Sequence, residues 1–180
     1  MLRITIPGGE LWDEEKCNFI NVKDHTLQLE HSLVSLSKWE SKWCKPFINK
    51  KEKTLEEVVD YVRCMTLTQN VDPNVYRFLT DENITQINEY IDAPMTATYI
   101  HDPDSQGLGK EQVTSELIYY WMIALQIPVE FQKWHLNRLL TLIKVCNIKN
   151  TPPKKRSRGE ILRSNAALNA QRKKQLNTKG

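Results

Sequence analysis

Histidines, cysteines and paired acids are the residues of this chain whose side chains could do chemistry, and their spacing limits what that chemistry could be. His25, His31, His101 and His135 form no HExxH and no Cys/His cluster at zinc-ligand spacing, and the pair His31 and Cys44 has no second pair beside it. Cys17, Cys44, Cys64 and Cys146 include no CxxC, so they read as thiols of a reducing compartment rather than a disulfide framework. The acids in Asp13-Glu14-Glu15, Glu56-Glu57 and Asp81-Glu82 would serve acid–base chemistry only if burial drove their pKa values apart. Each group falls where a turn or a helix N-terminus already favours acids. Asp102 to Asp104 offers carboxylates to an exposed cation without the ligand count of an EF-hand loop. Gly107-Leu108-Gly109-Lys110 lacks the upstream glycine and the following Ser or Thr of a phosphate loop, and no G-x-S-x-G or G-x-G-x-x-G occurs. The expectation is a chain that is not an enzyme and needs no metal or cofactor.

Two features suit binding better than catalysis. Trp39 and Trp43 lie one helical turn apart among Lys38, Lys42 and Lys45, an interleaving that can make a platform for nucleic acid. Core packing with lysine stems over the rim is the favoured reading of that pair, because Leu33 and Leu36 continue the same stripe. The second feature is charge. From Thr151 to Gly180 the basic residues Lys154, Lys155, Arg156, Arg158, Arg163, Arg172, Lys173, Lys174 and Lys179 face a single acid, Glu160, a net of +8. The whole chain is +3, so the first 150 residues carry −5. An acidic body with a basic tail reads either as a solvated terminus or as an arm that docks on an acidic surface. The partner-binding candidates are therefore Trp39, Trp43, Lys154, Lys155, Arg156, Arg158, Arg163, Arg172, Lys173 and Lys174.

The elements that must position these residues follow from periodicity. Residues 1–30 read as a small β meander of two or three strands: Leu2, Ile4 and Ile6 alternate with polar residues, Pro7-Gly8-Gly9 punctuates, and Leu27 and Leu29 alternate again. Residues 31–150 read as a helical body that forms one domain with the meander. Ser32 caps a stripe of Leu33, Leu36, Trp39 and Trp43 that Pro46 ends, and Thr54-Leu55-Glu56-Glu57 is a capping-box pattern. Asp72-Pro73 opens a short helix, and Thr80 or Asp81 starts another carrying Ile84, Ile87 and Ile91. Residues 94–110 read as a long loop with a short strand at Met95 to Ile100 as an option. Glu116 to Gln126 is apolar nearly all round, which predicts burial on several sides. Pro128 breaks it, and one long helix from Val129 to Asn147 is expected to complete an antiparallel hairpin at the centre of the core, with Trp121 and Trp134 packed inside. Pro152-Pro153 closes the body, and Ser157-Arg158-Gly159-Glu160 starts a marginal helix over 157–174 in the basic tail, 151–180. The fold class is α+β, predominantly α-helical.

Composition excludes further classes. The chain has 180 residues, 40% hydrophobic and 26% charged, enough for one core without disulfides or metal. Its longest uncharged run, Leu117 to Val129, is shorter than the roughly 17 residues a membrane helix needs. The first residues lack the apolar stretch of a signal peptide.

Several segments resemble a protein family of tailed bacteriophages of Gram-positive hosts. They are LQLEHSLVSLSKWESKWCKPF (Leu27 to Phe47), YYWMIAL (Tyr119 to Leu125), QKWHLNRLL (Gln132 to Leu140), AALN (Ala166 to Asn169) and LNTKG (Leu176 to Gly180). The resemblance covers almost the whole chain, and the family resembles tail assembly chaperones. It implies a non-catalytic protein that holds tape measure protein, tail tube protein or both in the host cytoplasm during tail assembly. It offers no catalytic or ligand residues to carry over. A virion structural protein of the tail or connector, and a nucleic-acid-binding module using the basic tail, are the alternative readings. The acidic body speaks against nucleic acid, and no membrane partner is expected.

Overall fold

In the computed structural model the described residues are 1–13, 17–48, 52–100, 112–151 and 158–176. The chain divides into two compact units, Met1–Asn147 and Ile148–Gly180. The fold is α+β and dominated by helices.

The first unit begins with four strands: β1 (Leu2–Ile6), β2 (Gly9–Asp13), β3 (Asn18–Val22) and β4 (His25–Leu29). They form two antiparallel pairs, β1 with β4 and β2 with β3. The residue numbers of every facing pair add to 31, so the pairs are one long two-stranded ribbon interrupted in the middle. The expected meander thus continues through Pro7-Gly8-Gly9 rather than ending there. The interruption has a local cause. Pro7 has no N–H to donate, and Gly8 lies so close to the opposite strand that a Cβ would stand 2.3 Å from the Val22 carbonyl oxygen. The Gly8 N–H leaves the ladder and donates to Asp24 Oδ1 at 2.7 Å. On the inner face Ile4, Ile6, Val22, Leu27 and Leu29 are buried.

Helix α1 (Leu33–Trp43) starts at Ser32, whose hydroxyl accepts from Ser35 N–H, and ends at Cys44, a left-handed residue with φ 51°. Helix α2 (Leu55–Met65) has the expected capping box between Thr54 and Glu57. A 3₁₀ helix (Pro73–Phe78) follows Asp72, whose side chain accepts from Asn74 N–H, and α3 (Asp81–Asp92) is capped by Thr80. No strand forms over Met95 to Ile100; the backbone there is irregular.

Helix α4 (Ser115–Ala124) departs from expectation. Only Ser115, Ile118 and Met122 are buried, while Tyr120 and Ile123 are 63% and 76% exposed. It packs in one cluster with α1 and with the helix that follows Pro128, and these cover a single face. That following helix is also not continuous. A 3₁₀ helix (Val129–Lys133) is separated from α5 (Leu136–Asn150). At the break, Leu136 N–H donates to the His31 carbonyl at 2.7 Å and His135 bridges Ser32 as a strand would. This long-range pairing holds the chain out of helix where periodicity alone runs straight through. Trp134 leaves the core with the break: it stacks on Phe131, centroids 4.0 Å apart, and lies 4.1 Å under the Arg138 guanidinium. Trp121 is half-buried against the core.

The apolar interior has two clusters. The first joins the ribbon to α2, α3 and Trp39; the second joins Leu33 and Leu36 of α1 to α4 and α5. Phe47 packs against both. Beside it the buried Glu40 carboxylate accepts from Phe47 N–H at 2.8 Å and from Ser115 N–H, the first amide of α4, at 2.7 Å. The amide of Glu40→Gln can accept at only one of these two sites. The variant should lose about 1–3 kcal/mol of stability, read from the urea midpoint; an unchanged midpoint would show that the two hydrogen bonds contribute nothing net.

Candidate partner-binding surfaces

The tryptophan pair is built by α1 and α2 together. Trp39 is 1% exposed, and its indole N–H donates to the Glu57 carbonyl at 2.9 Å. Trp43 is half-buried, and its N–H donates to Asp60 Oδ2 at 2.9 Å. The rings stack with centroids 6.1 Å apart, and Phe47 meets Trp39 edge-on. As a partner-binding candidate Trp39 is corrected: its face is in the core and closed to a base or a peptide. The lysines are anchored too. Lys42 binds Asp60 Oδ1 at 2.5 Å and Lys45 binds Glu57 Oε1 at 2.6 Å. Glu57 also accepts from Thr54 N–H, and these contacts, Lys45 first, hold its carboxyl below the usual range. The arrangement is a helix–helix joint with a charged rim, and only the outer part of Trp43 remains for a partner.

Two of the four histidines form a buried network. His31 Nδ1 and the Tyr61 hydroxyl share a hydrogen bond of 2.6 Å, and the His31 and His135 rings meet edge to face at 5.1 Å. His135 Nε2–H donates to the Tyr90 carbonyl at 2.9 Å. Tyr90 in turn donates to Glu30 Oε1 at 2.8 Å, and Glu30 holds the Met1 amino group at 3.0 Å. The Nδ1 of His135 is buried without a hydrogen-bond partner among the described residues. Burial, and then the neighbouring His135, pulls the His31 pKa down to about 3. Burial also lowers His135, against the opposing pull of the Tyr90 carbonyl and Glu30. Burial raises the Tyr61 and Tyr90 hydroxyls above their usual range. Neutral imidazoles, bound to hydroxyl and carbonyl inside the fold, make this a structural joint between β4, α2, α3 and α5. Neither ring faces solvent. The two histidines and the buried Tyr61 and Tyr90 are not marked by periodicity; their signal is a polar tip on an otherwise apolar face.

The basic tail contributes α6 (Arg158–Leu176). Arg158, Arg163, Arg172, Lys173 and Lys174 are all exposed on it. At about 100° per residue these cations span roughly 200° of the axis and Leu162, Leu168 and Leu176 roughly 120°, and Arg158 and Arg172 fall within the leucine arc, so the helix has no purely apolar stripe. Lys154, Lys155, Arg156 and the Ser157 cap lie outside the described residues, as do Asp102 to Asp104, Gly107 to Lys110 and His101. Among the described residues no group of three or more His, Cys, Asp or Glu could hold a metal ion, and no helix is long and apolar enough to cross a membrane.

The molecule is of the helix-dominated α+β class, with a basic helix in a second unit. The chain matches no protein-family profile, no curated protein and no solved structure.

The histidine joint fixes a pH dependence. In the folded state both imidazoles have depressed pKa values, so they stay neutral where the unfolded chain takes up protons, below about pH 6.5. Stability from this source is complete above that pH. It falls as the pH drops, by up to about 1.4 kcal/mol per pH unit for His31, whose loss continues to about pH 3, and His135 adds to the fall in the same direction. Urea unfolding at pH 7, 6 and 5 should show this decline before most carboxylates titrate, and His135→Gln should make it shallower. A flat profile from 7 to 5 would show that the pair is not held neutral.

Proposed function

We propose that the chain is a bacteriophage tail assembly chaperone: a non-catalytic protein that binds tape measure protein, tail tube protein or both in the host cytoplasm during tail morphogenesis. The observation that carries this reading is α6. Its side chains are exposed along almost its whole length, and its cations are spread over roughly 200° of its circumference. Most helical stability in proteins comes from packing rather than propensity, so a partner surface that packs on α6 adds stability on binding. Its charge suits an acidic partner, whose approach it steers. The resemblance of Leu27 to Phe47 and of Tyr119 to Leu125 to phage proteins names the partner class. A tape measure protein is a long helical chain with apolar faces, and the exposed Tyr120 and Ile123 of α4 add apolar contact area for such a client.

A second reading draws on the same helix. The exposed cations of α6 also suit phosphate, which would make the chain a nucleic-acid-binding module. That reading loses its stacking platform, since Trp39 is buried, and it predicts affinity for DNA that falls steeply with salt.

Co-expression of tape measure protein with the full chain should raise its soluble fraction, and the purified pair should bind. Deleting residues 151–180 should weaken that binding and leave the remaining affinity less dependent on salt. Unchanged affinity would remove α6 from the account, and no binding by the full chain would overturn the chaperone reading.

A further inference from the structure

On the first unit, α2 and the 3₁₀ helix Pro73–Phe78 enclose a surface groove of about 550 Å³. Leu55, Val59 and Leu79 supply apolar surface to it. Leu55 is 76% exposed although it opens a helix that buries its other apolar face. Leu55, Val59 and Arg63 recur every fourth residue, so they run along one side of α2 for about 12 Å.

The charges of the groove are unevenly committed. Asp60 is already held by Lys42 and by the Trp43 N–H. Arg63 lies over the Tyr76 ring at 5.2 Å and donates to the Pro73 carbonyl at 3.4 Å, a long contact. Arg77 is exposed, and among the described residues neither arginine has a carboxylate partner. Glu56 stands at the opposite end, in the first turn of α2. The groove therefore combines three aliphatic side chains with two guanidinium groups that have no carboxylate partner among the described residues, and with the acid Glu56 in the first turn of α2.

We propose that this groove docks an acidic amphipathic helix of a partner protein, its apolar stripe on Leu55, Val59 and Leu79 and its carboxylates on Arg63 and Arg77. A helix laid in a groove is read through anchors at this spacing. Guanidinium groups hold carboxylates through paired, charge-assisted hydrogen bonds. Glu56 repels an acid at the wrong end, so the same charges set the direction in which the segment lies. The lining of the site comes from the first unit alone, and the proposal does not rest on the identity of the client.

The test uses the full chain and a labelled helical peptide of about 15 residues, with leucine at every third or fourth position and glutamate elsewhere on the polar face. Its counterpart carries lysine for each glutamate. Fluorescence anisotropy should show the glutamate peptide binding at least tenfold tighter than the lysine peptide. Arg63→Glu with Arg77→Glu should abolish that preference, and Leu55→Asp should weaken binding about tenfold; all three positions are exposed, and tryptophan emission checks that the variants are folded. Neutralising Arg172, Lys173 and Lys174 to glutamine should leave binding within twofold. Unchanged affinity in the Arg63/Arg77 variant, or loss of binding only when the tail is neutralised, would overturn the proposal. So would concentration-dependent self-association that the Arg63/Arg77 variant abolishes, since the occupant would then be a second copy of the chain.

Discussion

The carboxylate of Glu40 is buried in the body, and the arrangement of both apolar clusters depends on how it is satisfied. An ionised carboxylate taken from water without partners is costly. Here it accepts from the backbone after α1, at Phe47, and from the first amide of α4, at Ser115. The second contact sets a negative charge at a helix N-terminus, where the dipole favours it. One side chain thus fixes where the chain turns after α1 and where α4 begins, 75 residues later. Phe47, held by that turn, lies against Trp39 and stacks on Tyr61 at 3.8 Å, and it also touches the second cluster. Helix α1 is the common wall. Its buried apolar arc, roughly 120° wide, is shared between Trp39 on the ribbon side and Leu33 and Leu36 on the α4–α5 side.

This arrangement separates stability from binding. The residues whose types suggest reactivity are mostly used inward: His31, His135, Tyr61, Glu40, Glu57 and Asp60 join elements to one another. The surface left for partners is of a different kind. It consists of the cations of α6, the apolar groups of α4, and the groove beside α2 with Arg63 and Arg77.

Much of the helical framework was legible in the sequence because caps are local. Ser32, Thr54, Asp72 and Thr80 each start a helix where the pattern places them, since a side-chain oxygen two or three residues from its target amide needs nothing else. What stayed illegible depends on distant partners. The break at Trp134–His135 is made by pairing with His31 and Ser32, about a hundred residues away, and no local signal marks it. The one-sided burial of α4 follows from how many elements surround it, which its own composition cannot tell. Of the candidate site, the cations of α6 were readable as a charge asymmetry. Arg63 and Arg77 were not, because their isolation from carboxylates is a property of the folded surface.

A tail assembly chaperone acts while the particle is built and is left out of it, whereas a structural protein of the tail or connector stays in it. Quantitative mass spectrometry of purified virions beside the infected-cell lysate separates the two most directly. A chaperone should be found in the lysate, in complexes with tape measure or tail tube protein, and should be absent from virions. A fixed copy number in purified virions would contradict the account and make the chain a structural component of the tail or connector.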